Sequence, residues 1–116
     1  MSRVLVCGGR AYGDRSRVFS VLDKYHAEVG VDLLIDGAAR GADQIAHEWA
    51  VAVGVPTERY PADWNAHGSF AGPMRNRVML EEGRPDLVIA FPGGVGTRDM
   101  VRKARKADVE VVEISP

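Results

Sequence analysis

The run Phe91-Pro92-Gly93-Gly94-Val95-Gly96-Thr97 lies between a continuous apolar strand signal, Leu87 to Ala90, and an amphipathic helix signal. Glycines at a strand-to-helix corner let bare backbone N–H groups approach an anion where the helix N-terminus already carries positive potential. The Thr97 hydroxyl adds a donor. These residue types predict a phosphate site at Pro92, Gly93, Gly94, Gly96 and Thr97. A corner that only turns tightly would use the same glycines, so the remaining stretches bear on the choice.

Three further stretches have related chemistry. Gly8-Gly9-Arg10-Ala11-Tyr12-Gly13-Asp14-Arg15 follows an apolar run, but it lacks the Gly-x-Gly-x-x-Gly spacing of dinucleotide sites. Gly8 and Gly13 have the Walker A separation, yet Asp14-Arg15 stands where Lys-Ser/Thr is required. Neither an ordinary NAD enzyme nor a P-loop NTPase is supported. Gly8, Gly9 and Arg10 remain candidates for a ligand phosphate, and Asp14 suits a helix cap. Asp36-Gly37-Ala38-Ala39-Arg40-Gly41-Ala42-Asp43 again sets glycines between a strand and a helix. Here Gly37, Gly41 and the planar fork of Arg40 suit phosphate, and Asp43 suits either the helix dipole or a ribose hydroxyl. Gly72-Pro73-Met74-Arg75-Asn76-Arg77 opens another helix. Arg75 and Asn76 project about 100 degrees apart, so at least one is expected in the cleft.

These corners need a frame. Short β-branched runs alternate with helix-period segments, separated by glycine, proline or aspartate. Strands are expected at Val4 to Cys7, Leu33 to Ile35, Thr57 to Tyr60, Leu87 to Phe91 and Val109 to Ile114. The first helix has Val18, Leu22, Tyr25 and Val29 as its apolar stripe and ends at Gly30. The second carries Ala42, Ile45, Ala46, Trp49 and Val53 and stops at Gly54. The third starts near Pro73, turns Met74, Val78 and Leu80 inward and ends at Gly83-Arg84-Pro85. The fourth, from about Thr97, buries Met100, Val101, Ala104 and Ala107. Residues 61–70 show no clear period and read as a lid over a base or ribose, or as a surface connection pinned by Trp64.

Right-handed crossovers between alternating strands and helices give an α/β fold, a Rossmann-like three-layer sandwich whose five-stranded parallel sheet is expected in the order 3-2-1-4-5. Ligands of such sheets bind beyond the carboxyl ends of the strands, at the switch between the first and fourth. The two loops meeting there, Gly8-Gly9-Arg10 and Phe91-Pro92-Gly93-Gly94, are both glycine-rich. That coincidence favours a site over a mere turn.

At 116 residues, the chain reads as a single domain spanning 1–116. A hydrophobic content of 46% and a charged content of 27% are ordinary for a soluble globular protein. No apolar run approaches a membrane span, no secretory signal is evident, and a cytoplasmic location is the expectation. The net charge of −1 supplies no global attraction to nucleic acid. Cys7, the one cysteine, reads as a small buried side chain. His26, His47 and His67 have no metal-ligand spacing, so no metal site is expected.

The four ordered motifs, Gly8-Gly9-Arg10, Asp36 to Asp43, Gly72 to Arg77 and Phe91 to Thr97, resemble the SLOG superfamily of Rossmann-like proteins, in particular its small YspA-type, YpsA-related branch. The resemblance covers nearly the whole chain. It implies binding of a nucleotide or nucleotide-derived molecule, with the Pro-Gly-Gly-x-Gly-Thr loop on a phosphate. No further cofactor is implied, and a sensor or signalling role fits such a binder.

Within the superfamily, LOG-type phosphoribohydrolases carry a glutamate three residues after the loop threonine. Met100 occupies that position, and Asp99 lies one residue earlier, about 100 degrees round the helix. A phosphoribohydrolase therefore needs another carboxylate near the anomeric carbon, for which Asp99 and Asp43 are the candidate catalytic residues. The superfamily also resembles DNA-processing protein A, which handles single strands, and Arg98, Arg102, Lys103, Arg105 and Lys106 give the last helix a basic face. Single-stranded nucleic acid is thus the alternative partner. Relatives in the superfamily commonly dimerise, which implies a homodimer.

Overall fold

In the computed structural model, which describes residues 2–116, alternation of strand and helix runs the length of the chain. The elements are β1 (Arg3–Cys7), α1 (Arg15–Val29), β2 (Leu33–Asp36), α2 (Ala42–Val53), β3 (Thr57–Arg59), α3 (Trp64–His67), α4 (Ala71–Val78), β4 (Leu87–Ala90), α5 (Val95–Lys106) and β5 (Glu110–Glu113). A 3-10 turn, Gly68–Phe70, joins α3 to α4, and a π-helical turn, Met79–Gly83, continues α4. The strands form one parallel sheet in the order β3-β2-β1-β4-β5, as the right-handed crossover rule predicts. Leu5, on the central strand, pairs with Ile35 on one side and Val88 on the other.

Strand periodicity divides the core. Val4, Val6, Leu34 and Ile89 point to the face covered by α1 and α2, where they meet Val18, Leu22 and Trp49. Leu5, Cys7, Ile35, Val88 and Ala90 point the other way, onto Met79, Met100, Val101 and Ala104. A sheet covered on both faces requires nearly continuous apolar strands, and β4 is buried throughout. Trp49 is the largest fully buried side chain; its indole Nε1–H donates to Asp23 Oδ1 at 2.8 Å, and His26 meets its ring edge-on at 5.6 Å.

Helix ends follow local chemistry. Asp14 caps α1 by accepting from Arg17 N at 3.0 Å, and Gly54 ends α2 in the left-handed conformation. Five expectations need correction. Residues 61–70 are largely helical, because Asp63 caps α3 through a bond from Ala66 N at 3.1 Å. Helix α4 begins at Ala71, so Pro73 sits inside its first turn rather than at its start. Met74, in the first turn of α4, is exposed, while Met79, where the π-helical turn begins, enters the core. Val29, Val53 and Ala107, at or just past helix ends, are exposed rather than buried. Each strand is also shifted by a residue at one or both ends, except where Leu33, Thr57, Leu87 and Cys7 mark the expected limit.

Among the described residues, no helix is long and apolar enough to cross a membrane. Removing the Trp49 ring leaves a cavity and an unpaired Asp23 carboxylate. Trp49→Ala is expected to cost about 3–5 kcal/mol, read from urea unfolding; a loss below about 1 kcal/mol would contradict this packing.

Candidate functional site

The site begins at a backbone junction. Gly9 N donates to Pro92 O at 2.9 Å, and Gly9 O accepts from both Ala42 N and Tyr12 N at 3.2 Å. One residue thereby ties the loop after β1 to the loop after β4 and to the start of α2. Such an approach leaves no room for side chains: at Gly41, whose φ is +76°, a Cβ would lie 2.6 Å from Arg10 O. At Gly93 a Cβ would overlap the Thr97 side chain and sit 2.7 Å from Gly9 N.

Beyond this junction opens a cleft of about 650 Å³ at the carboxyl ends of β1 and β4. Its walls include Gly8, Gly9, Arg10, Arg75, Asn76 and the start of α5 from Gly94 to Asp99. Arg98 N is bonded to Gly94 O at 3.0 Å, which leaves the amides of Val95, Gly96 and Thr97 as the unpaired first turn of α5. Gly94 and Gly96 differ from the packing glycines. A Cβ at either would meet no protein atom within 4 Å, and neither has a positive φ. Packing does not require glycine at these two positions, and glycine inside a helix, as at Gly96, costs about 1 kcal/mol relative to alanine.

The opposite wall is built around Arg75 and Asp43. Arg75 reaches from α4 to the loop after β2, where Nη1 donates to Gly37 O, while Nε donates to Asn76 Oδ1 at 3.0 Å. Asp43 is buried and its Oδ2 accepts from Gly37 N at 3.0 Å and Ala39 N at 3.4 Å. Asp36 Oδ1 accepts from Ala38 N at 2.7 Å and is paired with Arg59 at 3.0 Å. The amides of this second glycine loop are therefore held by carboxylates of the protein itself. Burial, followed by the Asp36 charge, pushes the Asp43 carboxyl up to about 7, against the opposing effects of Arg75 and the two amides. Burial also lowers Arg75 from its ordinary value, and nearby Arg10 adds to the fall while Asp43 opposes it.

Asp99 is fully engaged. Its carboxylate accepts from Asn76 Nδ2 at 3.0 Å, Arg102 Nη2 at 2.6 Å and Lys103 Nζ at 2.7 Å. Burial raises its pKa, but the bonds from Lys103 and Asn76 outweigh this and the net shift is downward. Asn76 Nδ2 also donates to Gly96 O at 3.2 Å. Together Asn76 and Asp99 clamp α4 against the first turn of α5. Met100, at the position of the LOG glutamate, is fully buried on the sheet side of the helix. The sequence reading missed this clamp, although Asp99 with Arg102 and Lys103 has the i,i+3 and i,i+4 spacing that pairs charges on a helix.

The model of the YspA, cpYpsA-related SLOG family matches residues 2–67, which run from β1 through α3. The chain belongs to this family. The SLOG protein is also 41% identical over 120 residues to the Gene 61 protein of Mycobacterium phage D29, covering 97% of this chain and 95% of that one. Its fold is similar to DNA processing protein A from Streptococcus pneumoniae, with a TM-score of 0.81 at 20% identity over 100% of this chain and 51% of that one. A second solved structure, phosphoribosylglycinamide formyltransferase from Bacillus Halodurans, gives a TM-score of 0.51 at 16% identity over 97% of this chain and 56% of that one. The SLOG chain thus spans about half the length of either structure, and these two likenesses concern the fold.

The cleft of this SLOG protein gathers Gly8, Gly9, Arg10, Asp43, Arg75, Asn76, Gly94, Gly96, Thr97 and Asp99. Arg40 lies apart, in an adjoining lobe of about 300 Å³ that Gly37 also lines. Gly41 and Gly93 pack behind the site. Trp64 stands at the boundary of both spaces, with the Arg10 guanidinium 4.9 Å above its ring.

The Asp43 environment has a measurable consequence. Below about pH 4 the carboxyl is protonated in folded and unfolded chains alike; from there to about 7 only the folded chain keeps the proton. Stability from this group therefore falls as pH rises through that window, by up to about 1.4 kcal/mol per unit. Asp43→Asn should flatten the slope in urea unfolding between pH 4 and 8. An unchanged slope would contradict the burial account.

Proposed function

We propose that this SLOG protein binds a nucleotide or nucleotide-derived ligand, with a phosphate on the first turn of α5 and the nucleoside in the cleft, in a sensor or signalling role. The observation that carries this reading is the contrast among the glycines. Gly8, Gly9, Gly41 and Gly93 are crowded by neighbouring backbone or by the Ala42, Phe91 and Thr97 side chains, whereas Gly94 and Gly96 border only open space. Bare amides at a helix N-terminus, kept clear of side chains that the fold would tolerate, suit a bound phosphate. The Thr97 hydroxyl is on the same wall. Asp43, about half protonated around pH 7, can donate to or accept from a ribose hydroxyl.

Hydrolysis of the N-glycosidic bond is the second reading, and Asp43 is what favours it. A buried cleft carboxyl with a pKa near 7 is suited to general acid–base work. Asp99 does not fit that role, since two cations and an amide already surround it. Nucleic-acid binding through the basic face of α5 is weakened in a similar way. Arg102 and Lys103 pair with Asp99, and Arg105 pairs with Glu113 at 2.8 Å, which leaves less free charge for a phosphate backbone.

Calorimetric titration with adenosine 5′-monophosphate, on wild type and Gly94→Leu, tests the binding reading. A Cβ at this position would meet no protein atom, so the substitution should leave the protein folded, with a stability change of about 1 kcal/mol or less, yet weaken binding about tenfold or more. Equal affinity in the two proteins would contradict the phosphate loop. Chromatography after incubation is expected to return the nucleotide intact; free adenine, lost in Asp43→Asn, would establish the hydrolase instead.

A further inference from the structure

The cleft does not end at Arg75. Past Arg10 and Trp64 it continues into the 300 Å³ lobe, whose walls include Ala38, Arg40 and Pro61. Four residues, Arg10, Ala39, Trp64 and Arg75, line both spaces. The cation balance of this lobe is uneven. Arg3, Arg15, Arg59, Arg77, Arg102 and Arg105 all have carboxylate partners. Arg17, Arg84 and Arg98 have none among the described residues, and neither have the three arginines that line the lobe, Arg10, Arg40 and Arg75; Arg75 is engaged with Gly37 O and Asn76, and Arg10 is near enough to depress it.

The carboxylates in reach are already committed. Asp36 is held by Arg59 and Ala38 N, and Asp43 by Gly37 N and Ala39 N. The amides of Gly37, Ala38 and Ala39 are taken by the same bonds, so what the side chains of this lobe still offer a ligand is guanidinium. Two free forks converging on one concavity match an anion with several oxygens, above all a phosphate. The first turn of α5 lines the larger space and Arg40 the smaller, so a ligand that fills both can set one phosphate on each.

We propose that Arg10 and Arg40 form a second phosphate subsite, and that the ligand class is a phosphate–nucleoside–phosphate unit. One phosphate lies on the α5 turn, the nucleoside fills the large space, and the second phosphate enters the small lobe beside Trp64. This rests on the nucleotide reading above. Such a unit exists both in a free nucleoside 3′,5′-bisphosphate and at the 5′-phosphorylated end of a single strand.

The test is amide and guanidinium NMR of the nitrogen-labelled full chain, titrated with inorganic phosphate, adenosine 5′-monophosphate, adenosine 3′,5′-bisphosphate and a 5′-phosphorylated single strand. Inorganic phosphate should shift Val95 to Thr97 and, separately, the Arg10 and Arg40 side chains; Arg40→Gln should remove only the second set. The bisphosphate should bind about tenfold more tightly than the monophosphate, and Arg40→Gln should erase that difference while leaving monophosphate affinity unchanged. A gain through Arg40 for the strand but not the bisphosphate would support the subsite and place the two phosphates in a strand. Equal affinity for mono- and bisphosphate, with no gain for the strand, would overturn it. Absent shifts at Val95 to Thr97 with shifts retained at Arg40 would overturn the α5 phosphate reading instead. Silence at every position would overturn both.

Discussion

The Gly9 backbone is the constraint on which the site depends. Parallel pairing brings β1 and β4 side by side, but strands alone leave their exit loops free to diverge. Gly9 donates to Pro92 O and accepts from Ala42 N, which fixes three loops to one another at the sheet's switch point. Backbones that close exclude side chains, hence the crowding around Gly9, Gly41 and Gly93, while Gly8 is crowded by the Ala42 and Phe91 side chains. With the loops locked, the α5 N-terminus is aimed at a single space. The Asn76–Asp99 clamp then holds that helix turn from the α4 side.

Much of this was legible in the residues. Apolar runs at β1, β2 and β4, with helix-period stripes between them, determine a doubly covered parallel sheet. The crossover rule then leaves little freedom in strand order. Helix α3 was not legible in the same way, because a four-residue helix is too short to show a period and only the Asp63 cap announces it. Phase after Met79 was also hidden, since a π-helical turn changes which residue faces the core without any composition signal.

The candidate site was legible by motif but not by mechanism. Glycines at 8, 9, 37, 41, 93, 94 and 96 look alike in sequence, and only tertiary packing separates those that let backbones touch from those facing open space. Gly37 shows the difference most sharply: its amide is held by Asp43 and its Cα lies against Arg75. Asp99 also reads as a candidate acid in sequence. In the fold it is a structural carboxylate, because Lys103, Arg102 and Asn76 converge on it from two helices. Partner choice by a polar side chain depends on long-range neighbours, and spacing along the chain does not supply them.

The central claim is that the α5 first turn exists in this form to hold a phosphate. A crystal structure of the protein soaked with adenosine 5′-monophosphate tests it most directly. The account predicts phosphate oxygens within hydrogen-bonding distance of the Val95, Gly96 and Thr97 amides, with the Asn76–Asp99–Lys103 bonds intact. A nucleotide seated instead on the outer face of α5, at Arg105 and Lys106 with the cleft empty, would contradict it.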